Sequence, residues 1–139
     1  MIGILFLLII FDQYTKKIIN KRILIGERTP LVKKFIYVTH EENTGIALSL
    51  FKNRGSWIIP LVGIMELGIV YSFFYFKSSI LRLSLILILG GGTSNLIDRI
   101  RKGSITDFVQ FRIGKLWSPI FNFADFFVIA GAIIFSMFL

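Results

Sequence analysis

The residues Gly90 to Arg99 read GGGTSNLIDR and end a strongly apolar segment. A second apolar segment begins with FNFAD, residues 121–125, and the short basic connection between the two contains ITDF, residues 105–108. Three aspartates and two asparagines therefore fall in the most apolar part of the chain. An ionised carboxylate in hydrocarbon is costly unless it is paired or hydrated, so acids in such segments indicate a functional site. A structural polar network between helices is the plain alternative for any single acid.

The composition is typical of a membrane protein. The 139 residues are 55% hydrophobic, and the mean hydropathy of +0.76 exceeds what a soluble domain of this size can bury. The net charge of +8 arises from Lys and Arg outside the apolar runs, where phospholipid headgroups rather than nucleic acid are the expected partner. With no cysteine and one histidine, the chain excludes disulfides and a histidine-bound zinc protease, and we expect neither metal nor cofactor.

The expected fold is an α-helical membrane protein with four transmembrane helices in one domain, residues 1–139. A bilayer crossing needs about 20 helical residues. After the first helix the composition becomes polar, and a period of two over Phe35–His40 predicts a small extramembrane β-platform. The predicted spans are about residues 2–19, 57–76, 80–100 and 120–139.

Polar residues inside these spans recur at helical spacing. Asp12 and Lys16 are i and i+4, which predicts either an ion pair at a helix end near the membrane interface or a site for a polar substrate head. Asn95, Asp98 and Arg99 fall at i, i+3 and i+4, which predicts one shared face and an Asp98–Arg99 ion pair.

Three other features receive a structural interpretation. The triple glycine at residues 90–92 predicts the close approach of a neighbouring helix, and Glu66 is interpreted as a helix–helix hydrogen-bonding group. Residues 43–47, NTGIA, predict a tight turn. The apolar residues expected to dip into the bilayer beside this turn are Ile46, Leu48, Leu50 and Phe51.

Five short motifs follow one another along nearly the whole chain. They are Asp12-Gln13-x-x-Lys16, Asn43-x-Gly45-x-Ala47, Gly91-Gly92-x-x-Asn95-x-x-Asp98-Arg99, Asp107-Phe108 and Phe121-Asn122-x-Ala124-Asp125. Their order resembles that of the bacterial lipoprotein signal peptidases, also called signal peptidase II. Each motif alone is weak, whereas five in order within four spans are strongly specific. The chain departs from the usual pattern at Ser94, where Gly is common, and at Ile46 and Leu48, where Ala and Phe are common.

The resemblance implies an aspartic intramembrane endopeptidase that removes signal peptides from diacylglyceryl-modified prolipoproteins, cutting just before the lipidated cysteine. It implies Asp107 and Asp125 as the catalytic pair acting on water. It also implies inhibition by globomycin-type cyclic peptides; the expected partners are lipid-modified prolipoproteins and membrane phospholipids, and we expect a monomer. The residues expected to bind substrate or support the pair are Asp12, Lys16, Asn43, Gly45, Asn95, Asp98, Arg99 and Asn122.

The resemblance places the protein in the bacterial cytoplasmic membrane, with the active site and the platform on the outer side. Counting positive charges gives the opposite orientation, because the two larger connections carry most of the Lys and Arg. The turn between the second and third spans offers only Lys77 and Arg82. We adopt the orientation that the resemblance implies, since the lipidated cysteine of the substrate lies on the outer side.

Two other classes of protein also carry intramembrane acids. A small proton-coupled transporter would use Asp98, Asp107 and Asp125 as a proton relay gated by Arg99, and it predicts transport without proteolysis. A purely structural subunit leaves the ordered motifs unexplained. The motif set favours the protease, and the chemistry agrees, because two neighbouring carboxyls share one proton and divide into an acid and a base.

Overall fold

The computed structural model describes residues 1–32, 34–45 and 55–139. The features predicted at Ile46, Ala47, Leu48, Leu50 and Phe51 lie outside these ranges. In chain order, the described elements are α1 (Ile2–Arg22), β1 (Arg28–Val32), β2 (Ile36–Asn43), α2 (Gly55–Tyr75), α3 (Ser79–Lys102), β3 (Ile105–Ile113), β4 (Leu116–Phe121) and α4 (Phe123–Phe138).

The strands form one antiparallel sheet in the order β1-β2-β3-β4. The platform predicted after the first helix is only half of it, because β3 and β4 come from the connection between α3 and α4. The first four residues of β3 are all buried, so the alternation that marks a half-exposed strand is missing there. The start of the fourth predicted span is also corrected: residues 120 and 121 belong to β4, and α4 begins at Phe123.

Three consecutive glycines of α3 face three different helices. A Cβ on Gly90 would lie 3.0 Å from a side chain of α1, and one on Gly91 would lie 2.3 Å from a backbone carbonyl oxygen of α4. A Cβ on Gly92 would lie 3.1 Å from Glu66 of α2. The close approach predicted at the triple glycine is thus confirmed, and α3 is the central helix of the fold.

The helices expose apolar side chains over much of their outer surface. Phe6 of α1 is 59% exposed and Leu67 of α2 is 70% exposed. Two of the described helices, over Trp57–Tyr75 and Ser79–Lys102, are long and apolar enough to cross a bilayer; Phe123–Phe138 is apolar but shorter. Apolar surface of this extent is typical of helices that face lipid.

A bulge in the sheet lies next to the strongest candidate for a functional acid. Val38 of β2 pairs with Val109 of β3, and Glu41 pairs with Asp107, so β2 carries one extra residue between these two pairs. Bulges bend a strand locally and occur frequently beside active sites. Asp107 therefore lies where the sheet changes register, close to the start of α4.

Candidate active site

Asp107 lies buried in the first half of β3 between two side-chain amides. Asn122 Nδ2 donates to Asp107 Oδ1 at 2.7 Å, and Asn43 Nδ2 donates to Oδ2 at 3.0 Å. Burial raises the pKa of Asp107 to about 7; the hydrogen bond from Asn43 opposes this rise, and the charge of Asp125 adds to it. Near neutral pH this carboxyl is therefore present in both protonation states, which suits an acid–base group.

Asp125 lies in the first turn of α4 and belongs to a capping box. Asn122 is the N-cap: its Oδ1 accepts from Asp125 N at 2.9 Å, and Asp125 Oδ2 accepts from Asn122 N at 3.0 Å. Asn95 Nδ2 of α3 donates to Asp125 Oδ1 at 2.9 Å. Each oxygen of this carboxyl is thus held by a donor, and Asn122 contacts both aspartates.

A buried cation lies behind Asn95. Lys16 of α1 is 2% exposed, and its Nζ lies 2.7 Å from Asp12 Oδ2 and 3.0 Å from Asp98 Oδ2. It also donates to Asn95 Oδ1 at 2.8 Å. Because the oxygen of this amide faces Lys16, its nitrogen is directed to Asp125, so the cation orients a donor of the candidate site.

Asp12 is fully buried behind the carboxyl pair. Ser94 Oγ donates to Asp12 Oδ2 at 2.7 Å, and the backbone N–H of Ala124 donates to Oδ1 at 2.9 Å. The ion pair with Lys16 thus lies in the middle of α1, so its predicted position at a helix end is wrong. Asp12 instead joins α1 to α3 and to the first turn of α4.

The predicted ion pair between Asp98 and Arg99, and the face that they share, are also wrong. Asp98 is 5% exposed and turns to α1, where it pairs with Lys16. Arg99 points away from it, and its Nη2 donates to the carbonyl oxygen of Gly45 at 2.7 Å. The physical reason is that α1 supplies a buried cation on one side of α3, while Arg99 and Asn95 line a cavity on the other.

The turn after β2 holds Asn43 in place. Gly45 N donates to Asn43 Oδ1 at 2.9 Å, which is an Asx turn. The tight turn predicted here is confirmed over these residues. With its oxygen used in the turn, Asn43 presents its Nδ2 to Asp107.

A cavity of about 530 Å³, hereafter the helix-side cavity, opens beside the two aspartates. Asp107, Asp125, Asn95 and Arg99 all line it, together with Asn43. Its volume is that of a ligand site. Most of the remaining wall is apolar and includes Ile58, Val62, Leu96, Val128 and Ile129. Within the described ranges, no three acidic or histidine side chains converge as they would to hold a metal ion.

The sequence pattern of the family signal peptidase (SPase) II matches residues 4–139. The chain belongs to the signal peptidase II family. A lipoprotein signal peptidase of Caldanaerobacter subterraneus subsp. tengcongensis is 34% identical over 127 residues, covering 91% of this chain and 86% of that protein. A lipoprotein signal peptidase of Clostridium tetani is 37% identical over 134 residues, covering 94% of this chain and 86% of that protein.

Solved structures agree with this membership. One described as a bacterial membrane enzyme matches with a TM-score of 0.90 at 29% identity, covering 98% of this chain and 84% of that one. A second structure of the same description matches with a TM-score of 0.86 at 28% identity, covering 98% of this chain and 89% of that one. The helices with a small antiparallel sheet are thus the fold of a membrane enzyme, and the protein is a peptidase. This confirms the predicted family and favours the protease over the transporter and the structural subunit.

Two residues that contact the candidate site received no role in the sequence analysis. Gln13 Nε2 donates to Asp98 Oδ1 at 2.9 Å and to Ser94 Oγ at 3.0 Å. Ser94 is 0% exposed and donates to Asp12. Gln13 could have been identified from its place in the first motif. Ser94 could have been identified because it replaces the glycine that is usual at that position.

Proposed function

We propose that this protein is an aspartic endopeptidase that removes signal peptides from diacylglyceryl-modified bacterial prolipoproteins, cutting just before the lipid-modified cysteine. The observation that carries the proposal is that Asn122 hydrogen-bonds both Asp107 and Asp125 at the wall of one largely apolar cavity. The lipoprotein signal peptidases to which the chain is similar support the substrate class.

Asp107 and Asp125, sharing one proton, supply both groups that amide hydrolysis needs. The ionised carboxyl takes a proton from the attacking water while the protonated one gives its proton to the substrate carbonyl oxygen. As the C–N bond breaks, the first carboxyl passes the proton from water to the leaving amine, and the hydroxyl of the tetrahedral intermediate returns its proton to the second carboxyl. The two carboxyls titrate together, so the roles of acid and base belong to the pair.

The surrounding polar residues keep this pair in position. Asn43, Asn95 and Asn122 donate to its carboxylate oxygens, and Lys16 orients Asn95. Arg99 lines the same cavity, where a cation stabilises negative charge that develops on the substrate oxygen. Three further residues act indirectly. Lys16 is held by Asp12 and Asp98, and Arg99 is held by the carbonyl oxygen of Gly45.

The four helices then cross the bacterial cytoplasmic membrane over about residues 2–19, 57–76, 80–100 and 123–139. The sheet and the carboxyl pair lie at the outer surface, because the lipid-modified cysteine lies on that side. The helix-side cavity receives the signal peptide and acyl chains, and phospholipids cover the exposed apolar faces. The protein acts as a monomer, and globomycin-type cyclic peptides inhibit it by occupying the helix-side cavity.

Two carboxyl-to-amide variants test the pair. We expect the purified parent to cleave a diacylglyceryl-modified prolipoprotein in detergent, followed by gel shift. Asp107→Asn and Asp125→Asn should each lose about 10²–10⁴-fold in rate, the contribution of acid–base catalysis. Glu27→Gln, which neutralises an exposed carboxylate just before β1, is the matched control and should cleave like the parent. A folded but inert parent would refute the function; parent-like cleavage by either aspartate variant would refute the mechanism.

A further inference from the structure

A second cavity, of about 310 Å³, also borders Asp107 and is lined by residues of the sheet; we call it the sheet-side cavity. It shares Asn43, Asp107, Pro119 and Ile120 with the helix-side cavity. Asp107 therefore stands at the boundary between two spaces. The two spaces differ in chemistry, because Gln110 and the carboxylate residue Glu41 line only the sheet-side cavity.

Gln110 lines this cavity and carries a buried acceptor. The residue is 6% exposed, and its Nε2 donates to the carbonyl oxygen of Ser118 in β4 at 2.9 Å. This contact fixes the orientation of the amide, because exchanging its two ends would bring two oxygens together. Gln110 Oε1 is buried and has no hydrogen-bond partner among the described residues. Buried acceptors rarely remain unpaired, so a donor from outside the chain, either water or a ligand N–H, is the expected partner.

We propose that the sheet-side cavity binds the polar residues that follow the lipid-modified cysteine, and that Gln110 Oε1 accepts a backbone N–H from them. The inference rests on the proposed function. The signal peptide and the acyl chains are apolar and match the helix-side cavity, whereas the segment after the cysteine is polar and carries an N–H at nearly every residue. A peptide passing from one cavity to the other presents its scissile bond at Asp107.

The test replaces single backbone amides of the substrate by esters, which removes one N–H at a time. Lipid-modified peptides carry the ester at the second, third or fourth residue, counting the cysteine as the first. With the parent protein in detergent, we expect one of these esters to raise KM about 10-fold and to leave kcat nearly unchanged, because only a binding contact is lost.

A variant of Gln110 identifies the acceptor. Gln110→Met keeps a side chain of similar length and should raise KM for the all-amide peptide by the same factor as the responsive ester. Combining the variant with that ester should then cause no further loss. Thr29→Ala, on the exposed strand β1, should respond to the ester as the parent does. A peptide that ends at the cysteine amide should be cleaved equally by the parent and by Gln110→Met.

The outcomes separate this inference from the function on which it rests. If the parent cleaves the all-amide peptide and no ester changes KM, the inference is wrong and the proposed function stands. The same holds if the losses from Gln110→Met and the ester multiply, or if Gln110→Met slows cleavage of the short peptide, since the residue then acts through the sheet. A parent that cleaves no lipid-modified peptide overturns both.

Discussion

Asn122 Nδ2 donates a hydrogen bond of 2.7 Å to Asp107 Oδ1. The same residue is the N-cap of α4, so one side chain couples the start of a helix to the middle of a sheet. Capping residues usually serve only the helix that they begin. Here the cap also fixes where Asp125 lies relative to Asp107, which makes the geometry of the pair depend on a single asparagine.

Replacing Asn122 by Ser separates the two roles. The Ser hydroxyl still accepts from the first turn of α4, but it is too short to reach Asp107. We expect kcat to fall about 10²-fold through misplacement of the carboxyl, while most of the stability is retained. Asn122→Ala, which loses the cap as well, should be about 1 kcal/mol less stable than Asn122→Ser. Kinetics and thermal unfolding in detergent measure both quantities, and a parent-like kcat for Asn122→Ser would contradict the coupling.

The pH dependence should follow the pKa of Asp107. Cleavage should decline as pH rises through about 7, because Asp107 ionises and the pair loses its shared proton. The hydrogen bond from Asn43 stabilises the ionised form, so Asn43→Ala should raise the pKa of Asp107 and move the decline to higher pH. Profiles of kcat/KM over about pH 5 to 9 for parent and variant decide this. A decline that stays in place, or moves to lower pH, would argue against Asp107 as the titrating group.

The helices and a clustering of the polar side chains could be predicted from the residues alone, whereas the pairing of Asp107 with Asp125 was implied by the family resemblance. Apolar runs interrupted by acids and amides have few ways to satisfy those groups, so the groups must lie together. Asn122 and Asp125 stand at i and i+3, a spacing that by itself indicates one face of a helix. Its real meaning, a capping box, depends on where α4 begins, and helix ends are poorly defined by hydropathy.

The partner of Asp98 could not be predicted in the same way. Helical spacing identifies neighbours only within one helix, and it therefore indicated Arg99 as the partner of Asp98. The actual partner is Lys16 of α1, which is 82 residues away in sequence. The packing at the triple glycine determines which helix lies on each side of α3. The sequence pattern does not indicate this arrangement. The strand β3 was missed because both of its faces are covered near Asp107.

Removing the buried cation Lys16 should destabilise the protein far more than removing an exposed cation on the same helix. Lys16→Met leaves Asp12 and Asp98 buried without their shared cation, which should lower the free energy of unfolding by about 3–5 kcal/mol. Adding Asp98→Asn should restore part of this loss, because one buried charge disappears. Lys17→Met, at the exposed neighbouring position, is the control and should be nearly neutral. Additive losses in the double variant, measured by thermal unfolding, would show that the residues do not act as a pair.

Substitution of Gly91 tests whether the contact between α3 and α4 sets the position of the proposed catalytic pair. A Cβ at this position would lie 2.3 Å from the carbonyl oxygen of Ala124, a backbone atom, so Gly91→Ala must displace the first turn of α4 and Asp125 with it. We expect a loss of about 10²-fold in kcat together with lower thermal stability. Gly68→Ala in α2 is the matched control: a Cβ there meets no described atom within 4 Å, so this variant should cleave like the parent and be up to about 1 kcal/mol more stable. If both variants keep the parent's kcat, the position of Asp125 does not depend on this helix contact.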